Sequence, residues 1–205
     1  MSIVVIAPHP DDEAIGCGGA IATHAAEGAR VDVVFLTSGE LALADREPGP
    51  AARLREREAG AAATVLGVSD VAFLRQRDYG LSGRVEEVVD LLAPLLERLG
   101  PDTIYHPHAG ESHPDHQAAA AIAVWAAERV GVSRDTLLGY GVWTPMASYD
   151  AVQDIGAVMP RKLEAIRCYT SQSDHFNYER AATGLGQYRG AIAARCDYAE
   201  VFAKC

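Results

Sequence analysis

The chain has 205 residues, and its 49% hydrophobic content is enough for the core of one domain over residues 1–205. Its 28 acidic residues outnumber its 18 basic ones, so the formal net charge is −10 and neither nucleic acid nor an anionic membrane surface is expected as a partner. No apolar run of 18 residues and no secretory leader pattern is present, so the sequence predicts a cytoplasmic protein without a membrane span.

Apolar runs of strand length alternate with segments of helical periodicity along most of the chain. The predicted strands cover residues 3–7, 31–37, 71–74, 103–106 and 138–143. The predicted helices cover residues 14–27, 51–66, 85–99 and 114–130. The pattern after residue 144 is less regular. It predicts an apolar run at 152–155, helices at 160–168 and around 178–195, and a last apolar run at 198–202. Repeated strand and helix predict an α/β fold with a mostly parallel central sheet between two helical layers.

Polar segments follow the predicted strands at the point where each strand ends. They are residues 9–13, 38–40, 75–78 and 107–116. In open parallel sheets the carboxyl ends of the strands share one edge, and ligands bind beyond that edge. The sequence therefore predicts a functional site built from these segments.

Two of the segments carry histidines and acids at short spacing. "PHPDDEAIGCGG", residues 8–19, places His9 and Asp12 three residues apart, and "GESHPDHQAAAA", residues 110–121, does the same for His113 and His116. Pro114 favours the start of a helix, which brings the two imidazoles of the second segment to one side. Buried carboxylates need a cation, a basic partner or open water. Together the segments indicate a metal site.

The ligand types favour zinc. His9, Asp12 and His116 form a set of three protein ligands, which leaves a fourth position for water, and zinc lowers the pKa of that water to about 7. Asp11 is then available as general base, and His113 is available to stabilise an oxyanion or protonate a leaving nitrogen. The pattern predicts a metal-dependent hydrolase, and another divalent metal is compatible with it.

The pair of motifs "PHPDDE" and "HPDH" resembles the LmbE-like, or PIG-L, family of zinc-dependent N-deacetylases. Further stretches agree with that family, namely "RLREREAGAAATVLGV", "RDYGL", "YTSQ" and "YAEVF". The resemblance implies a Rossmann-like α/β/α fold and removal of an acyl group, usually acetyl, from an N-acetylglucosamine-bearing small molecule. Pro8 stands where the family usually has alanine, and the chain is short for the family, which predicts a shallower cleft.

Carried over position by position, the resemblance implies three kinds of role. His9, Asp12 and His116 would bind zinc. Asp11 would act as base, and His113 would stabilise an oxyanion or act as acid. Arg55 and Asp78 would contact the substrate. The aglycone, the pathway and the oligomeric state stay open, and a homo-oligomer is compatible with the sequence.

Two other functions remain open on the residues alone. "GCGG", residues 16–19, hints at a nucleotide-binding loop, but Ile21 replaces the third glycine of that pattern, and close packing of a helix on a strand also explains the glycines. Histidines and carboxylates also hold paired metals in phosphoesterases. For Glu13 we expect a supporting role at the helix start and no metal ligation.

Other side chains have structural interpretations. Trp125 and Trp143 are interpreted as core residues. His106 and His108 are compatible with groups behind the metal ligands or with an exposed loop. His175 has no ligand partner in the sequence and is compatible with a place in the cleft.

Overall fold

The chain forms seven strands and six α-helices in a computed structural model that describes residues 1–173 and 176–205. The strands are β1 (Ser2–Ala7), β2 (Arg30–Thr37), β3 (Asp70–Gln76), β4 (Thr103–Pro107), β5 (Leu137–Tyr140), β6 (Ala151–Asp154) and β7 (Ala199–Lys204). The helices are α1 (Asp12–Ala26), α2 (Pro48–Leu66), α3 (Val85–Leu99), α4 (Pro114–Arg129), α5 (Met159–Arg167) and α6 (Tyr178–Arg189). Short 3₁₀ turns cover Leu81–Gly83 and Arg134–Thr136, and a π turn covers Gly190–Ala194.

The strand order in the sheet is β3-β2-β1-β4-β5-β7-β6. The first five strands run parallel, and β7 runs antiparallel to both of its neighbours. From β1 the chain builds outward on one side through β2 and β3 and then returns to the other side of β1 with β4. The loops after β1 and β4 therefore leave the sheet side by side at the point where the strand order reverses, which is where ligands bind in such sheets.

Two hydrophobic clusters fill the layers on either side of the sheet. Ile3 and Val5 pack in the cluster that contains side chains of α1, α2 and α5, whereas Val4 and Ile6 pack in the cluster formed with α3 and α4. Because β1 is buried on both faces, its sequence is a continuous apolar run. The predicted three-layer α/β fold with a mostly parallel sheet is confirmed.

The glycines of α1 allow the helix to lie directly on the sheet. A Cβ added at Gly16 would overlap the ring of Tyr140, and one added at Gly19 would lie 2.6 Å from a side-chain carbon of Ile155. The "GCGG" stretch therefore serves close packing, as the structural interpretation of these glycines expected.

A break in α1 is held by the opposite end of the chain. Cys17 has a φ of −139°, outside the helical range. At this break the N–H groups of Gly19 and Ala20 each donate to the carboxylate of Glu200 on β7, at 2.8 Å. The ammonium group of Lys162 on α5 donates to the same carboxylate at 2.6 Å. The buried Lys162–Glu200 ion pair is thus stabilised by hydrogen bonds to the backbone near the start of α1.

Three details differ from the sequence-based expectations. The fifth strand ends at Tyr140 instead of continuing to residue 143. Trp125 and Trp143 are 45% and 41% exposed, so their interpretation as core residues is wrong. Trp143 lies in the loop beyond β5, and Trp125 lies on a part of α4 that the sheet does not cover. His175 lies outside the described residues, and within the described ranges no helix has the length and apolar character that crossing a membrane requires.

Candidate metal centre and active site

The loops that follow β1 and β4 bring the two histidine motifs together. His9 lies in the turn after β1, and Asp12 is the first residue of α1. His113 is the N-cap of α4, and His116 lies in the first turn of that helix. The rings of His9 and His116 are 5.3 Å apart between centroids, although 107 positions separate them in the sequence (116 − 9).

Asp12 lies between the two histidines. Its Oδ2 atom is 3.1 Å from His9 Nδ1 and 3.2 Å from His116 Nε2. A tetrahedral ion with bonds of about 2.0–2.1 Å places its ligand atoms roughly 3.3 Å apart, so these spacings fit such an ion. His116 Nε2 is fully buried and lacks a hydrogen bond of good geometry, so it is a polar atom whose unmet bonding a bound cation would satisfy. The residues present therefore fit a divalent metal.

The other ring nitrogen of each histidine faces a carboxylate. His9 Nε2 lies 3.1 Å from Asp78 and 3.4 Å from Asp115. His116 Nδ1 lies 3.5 Å from Glu111. Carboxylates behind ligand histidines commonly fix the tautomer and orient the ring, so that the opposite nitrogen points at the metal. This arrangement directs His9 Nδ1 and His116 Nε2 towards the same carboxylate oxygen of Asp12.

Among the described residues, two combinations of side chains in the same place have ligand atoms close enough together to hold an ion, and neither combination includes Asp12. One nitrogen each of His9, His113 and His116 lies within 4.8 Å of the others, and the same is true of one atom each of His9, Asp78 and Asp115. Both sets share His9. The choice of His9, Asp12 and His116 as the ligand set stays a prediction.

The cluster favours positive charge. Burial would lower the pKa of His9. The neighbouring carboxylates of Asp115, Asp12 and Asp78 outweigh burial, so this pKa lies well above its ordinary value. Burial likewise opposes the protonation of His116, but the charge of Asp12 raises the His116 pKa to about 9. Burial would raise the pKa of Asp12, and the two histidines instead hold it far below its usual range.

Buried acids outnumber buried cations around the histidines. The buried acids here are Asp11, Asp12, Glu13, Asp78, Glu111 and Asp115. Among the described residues that line the adjacent cavity, Arg55 is the only arginine or lysine. Isolated buried carboxylates are costly, so a bound cation would stabilise this arrangement. A bound cation would therefore balance the negative charge concentrated after the first strand.

Asp11, the predicted base, lies beside the predicted ligands. Its carboxylate is buried, and Arg55 Nη2 lies 3.0 Å from its Oδ2 atom while also donating to the carbonyl of Pro10. Burial raises the pKa of Asp11 to about 7, against the opposing effect of Arg55. Its backbone has a φ of 117°, which is rare for a residue other than glycine and marks local strain at this position.

Glu13 supports that strained conformation. Its Oε2 atom accepts a hydrogen bond from the N–H of Asp11 at 3.2 Å, and its Oε1 atom accepts one from the hydroxyl of Tyr169. Burial raises the pKa of Glu13 to about 8. The carboxylate therefore acts on the backbone of the candidate base, in agreement with a supporting role.

His113 lies half-buried at the edge of the cluster. Its Nδ1 atom accepts a hydrogen bond from the N–H of Asp115 at 3.2 Å, so the proton of the neutral ring is carried by Nε2. Burial, and then the charges of His9 and His116, lower the His113 pKa. A neutral imidazole with a proton on Nε2 is a hydrogen-bond donor for a developing oxyanion.

A cavity of about 320 Å³ opens onto the cluster. It is lined by the predicted residues His9, Asp11, Asp12, Arg55, Asp78 and His113, together with other side chains that include Tyr79, Trp143, Phe176 and Tyr178. A larger cavity of about 670 Å³ includes His106, Trp125 and Cys205 in its lining, but none of the clustered acids lines it. The smaller cavity is therefore the candidate site, because the clustered histidines and acids line it.

Arg55 and Asp78 line this cavity, but each also faces a member of the cluster. Arg55 pairs with Asp11, and Asp78 lies behind His9. Their predicted contact with substrate stays a prediction. The structure adds that Arg55 contacts the predicted base and that Asp78 contacts a predicted metal ligand.

Sequence reasoning missed Glu111 and Asp115. Asp115 accepts hydrogen bonds from the N–H groups of Tyr79 and Leu81 while it faces His9. Glu111 accepts from the loop after β5 while it faces His116. Their position inside "GESHPDH" was the available signal, because carboxylates commonly accompany ligand histidines.

His106 and His108 lie apart from the ligand cluster. His106 is buried on β4, with its Nε2 atom 3.1 Å from the sulfur of Cys205. His108 Nε2 lies 2.9 Å from the carbonyl oxygen of Thr144 and 3.6 Å from Glu111. His108 thus adjoins a residue behind His116, and both His106 and His108 line the larger cavity.

Comparison with known proteins identifies similar sequences and folds. Residues 4–127 match the family model described as PIG-L: GlcNAc-PI de-N-acetylase. The 1D-myo-inositol 2-acetamido-2-deoxy-alpha-D-glucopyranoside deacetylase of Thermomonospora curvata is 29% identical, over 83% of this chain and 80% of that protein. Other relatives with that activity in their names are 32–36% identical, but the matched part covers only 52–56% of their length, so the chain spans about half of those proteins.

Two solved structures cover nearly the whole chain. A conserved protein from Thermus thermophilus has a TM-score of 0.86 and 30% identity, and the match covers 100% of this chain and 94% of that one. The N,N'-diacetylchitobiose deacetylase of Pyrococcus horikoshii has a TM-score of 0.85 and 26% identity, and the match covers 99% of this chain and 83% of that one.

Proposed function

The chain belongs to the PIG-L family of GlcNAc-PI de-N-acetylases, and on that premise we propose that it is a metal-dependent hydrolase of N-acylated amino sugars. The proposed reaction removes an acyl group, with acetyl expected, from the amide nitrogen of an N-acetylglucosamine-type sugar or its conjugate. The observation that carries the proposal is the position of one Asp12 oxygen 3.1 Å from His9 and 3.2 Å from His116, with Asp11 next to it in the same cavity.

The proposed metal ligands are His9, Asp12 and His116, and zinc is the proposed ion. When bound, such an ion supplies an acidified water and polarises the amide carbonyl. Asp78, Asp115 and Glu111 then hold the two imidazoles in the tautomers that ligation requires.

Asp11 and His113 carry the proposed proton and charge steps. An Asp11 carboxylate oxygen takes a proton from the attacking water, and Arg55 keeps that carboxylate in place at 3.0 Å. The N–H at His113 Nε2 donates to the oxygen that becomes negative as water adds to the carbonyl carbon. The carbon–nitrogen bond then breaks, and Asp11 returns its proton to the amine nitrogen. The products are a primary amine and a carboxylic acid, which loses its proton to solvent at neutral pH.

The comparisons favour this function over the other two that the residues left open. The relatives are named as deacetylases, and the glycines of α1 are accounted for by packing against Tyr140 and Ile155. Nothing in the described residues adds support for a nucleotide-binding or phosphoesterase function.

A deacetylation screen tests the proposal. Protein loaded with Zn²⁺, and a sample treated with a chelator, are incubated with N-acetylglucosamine, N,N'-diacetylchitobiose and aryl N-acetylglucosaminides, and new primary amine and released acetate are measured together. Equal amounts of amine and acetate, formed only by the metal-loaded sample, are expected. Phosphate release from a panel of phosphoesters, without any acetate release, would overturn the proposal.

A further inference from the structure

We propose that Trp143, Phe176 and Tyr178 form a stacking subsite for an uncharged ring attached to the amino sugar, such as a second sugar or an aryl group. This inference rests on the proposed function, because it names the part of the substrate that lies beyond the reacting amide. These three side chains are termed the aromatic wall.

The aromatic wall is a compact cluster in the same cavity as the candidate catalytic groups. The ring centroids of Trp143 and Phe176 are 5.0 Å apart, those of Phe176 and Tyr178 are 5.7 Å apart, and those of Trp143 and Tyr178 are 5.9 Å apart. All three line the cavity that contains Asp11 and Asp12. Aromatic surfaces of this kind bind the apolar faces of flat or ring-shaped ligands.

Exposure increases from the bottom of the cavity to the wall. His116 is fully buried and His9 is 9% exposed, whereas Trp143 is 41% and Phe176 is 53% exposed. The reacting amide must reach the buried cluster. The part of the substrate beside the exposed rings is therefore the part that points towards solvent, which in an amino-sugar conjugate is the aglycone.

The loop that carries Trp143 of the aromatic wall is held to the candidate metal centre by Glu111. One Glu111 oxygen accepts a hydrogen bond from the N–H of Val142 at 2.6 Å, and both oxygens lie 3.2 Å from the backbone nitrogen of Trp143. The same carboxylate lies 3.5 Å from His116 Nδ1. A subsite held in this way is positioned before substrate arrives, which lowers the entropic cost of binding.

Tyr79 provides an aromatic surface next to His113. Its ring centroid lies 4.8 Å from that of His113, and the side chain is 64% exposed. The sugar that carries the amide would thus enter a cavity with aromatic side chains at its mouth, and the aromatic wall would contact the group beyond it.

The charges of the cavity favour a neutral ligand in this subsite. Among the described lining residues Arg55 is the only arginine or lysine, and it is paired with Asp11. The acids of the lining are Asp11, Asp12 and Asp78. A phosphate or carboxylate on the aglycone would find no arginine or lysine among the described residues of the wall, and desolvating it there would be unfavourable.

The test compares Trp143→Ala with Trp125→Ala, since Trp125 is similarly exposed at 45% but lines the other cavity. The values of kcat/KM are measured for N-acetylglucosamine, N,N'-diacetylchitobiose, N-acetylglucosamine 1-phosphate and N-butanoylglucosamine. We expect the wild-type protein to prefer the chitobiose, and Trp143→Ala to lose about three- to tenfold on that substrate through KM. Free N-acetylglucosamine should change by less than about twofold, Trp125→Ala should match the wild type, and Trp143→Phe should keep most of the preference.

Several results would overturn the subsite. They are an equal loss on all substrates in Trp143→Ala, a matching loss in Trp125→Ala, turnover of the 1-phosphate as good as that of the chitobiose, or a change confined to the butanoyl substrate. Any of these would leave the deacetylase function itself intact.

A fluorescence titration separates failure of the subsite from failure of the proposed function. N,N'-diacetylchitobiose should change the tryptophan emission of the wild type and of Trp125→Phe, and should not change that of Trp143→Phe. This response without any acetate release would support the subsite and reject the deacetylase function. Acetate release without the Trp143 response would reject the subsite.

Discussion

Arg55 Nη2 lies 3.0 Å from Asp11 Oδ2, which pairs a buried guanidinium on α2 with the candidate base at the start of α1. The pair has two effects. It stabilises a carboxylate whose pKa burial raises to about 7, and it fixes the direction in which that carboxylate faces the cavity. Two adjacent acids, Asp11 and Asp12, are thereby given different surroundings and different predicted tasks.

Asp11→Asn should keep the metal but lose most turnover. The amide has nearly the shape of the carboxylate but cannot take a proton, and loss of a general base typically costs about 10²- to 10⁴-fold. Metal content by mass spectrometry and kcat by acetate release check the result. Asp45→Asn, which alters an exposed aspartate away from the cavity, is the matched control. Full activity of the Asp11 variant would reject its role as base.

Asp12→Ala should lose metal. Its carboxylate oxygen is the atom shared by His9 and His116, and removing it leaves two imidazoles as the proposed ligands. Dialysis against graded concentrations of a chelator should strip the ion from this variant before it strips the wild type, and added Zn²⁺ should restore little activity. If the variant retains stoichiometric metal through the same dialysis, the ligand assignment is wrong.

Glu111→Gln should weaken metal binding and also loosen the loop that carries Trp143. Loss of the carboxylate behind a ligand histidine typically lowers metal affinity by about 10- to 100-fold. The same change weakens the hydrogen bonds to the loop that carries Trp143. Competition with a chromophoric chelator measures the affinity, and Glu97→Gln on the exposed face of α3 is the control. An unchanged affinity would contradict the proposed link between Glu111 and His116.

Burial of His106 should lower the free energy of unfolding in mild acid. Burial lowers the pKa of His106 to about 4, so the folded state keeps it neutral while the unfolded chain takes up a proton near its ordinary pKa of about 6.5. Neutral His106 therefore leaves the free energy of unfolding undiminished above about pH 6.5. As the pH falls towards 4, protonation in the unfolded chain lowers that free energy by about 3 kcal/mol in total.

Denaturant unfolding at a series of pH values from about 7 down to about 4 checks this effect. The free energy of unfolding should fall less steeply with pH in His106→Phe than in the wild type, because all other groups titrate in both proteins. Parallel curves would show that burial does not hold His106 neutral.

The early part of the fold and the core of the site could be predicted from local patterns. β1 is a continuous apolar run because it is buried on both faces, and the acids that follow it mark the end of the strand. The same logic applied to β4 placed His113 and His116 at the same edge. Both predictions depended on residues close to each other in sequence.

What could not be predicted depends on contacts between distant residues. Trp143 was expected in the core because large apolar side chains are usually buried, but the Glu111 carboxylate, 32 positions earlier, holds its N–H in the loop beyond β5. Glu111 and Asp115 were visible as acids in a motif. Their roles follow from the rings they face across the site, which spacing along the chain does not encode.

The hydrogen bonds between Glu200 and the break in α1 also affect the stage of synthesis at which the site can form. The two hydrogen-bonded residues Gly19 and Glu200 are 181 positions apart. A ribosome makes the first motif early and β7 much later, and contacts of such large separation form late in folding. A nascent chain released before residue 200 would carry every proposed ligand yet lack the contact that holds the helix beginning with Asp12, so we expect metal binding and activity to require the seventh strand.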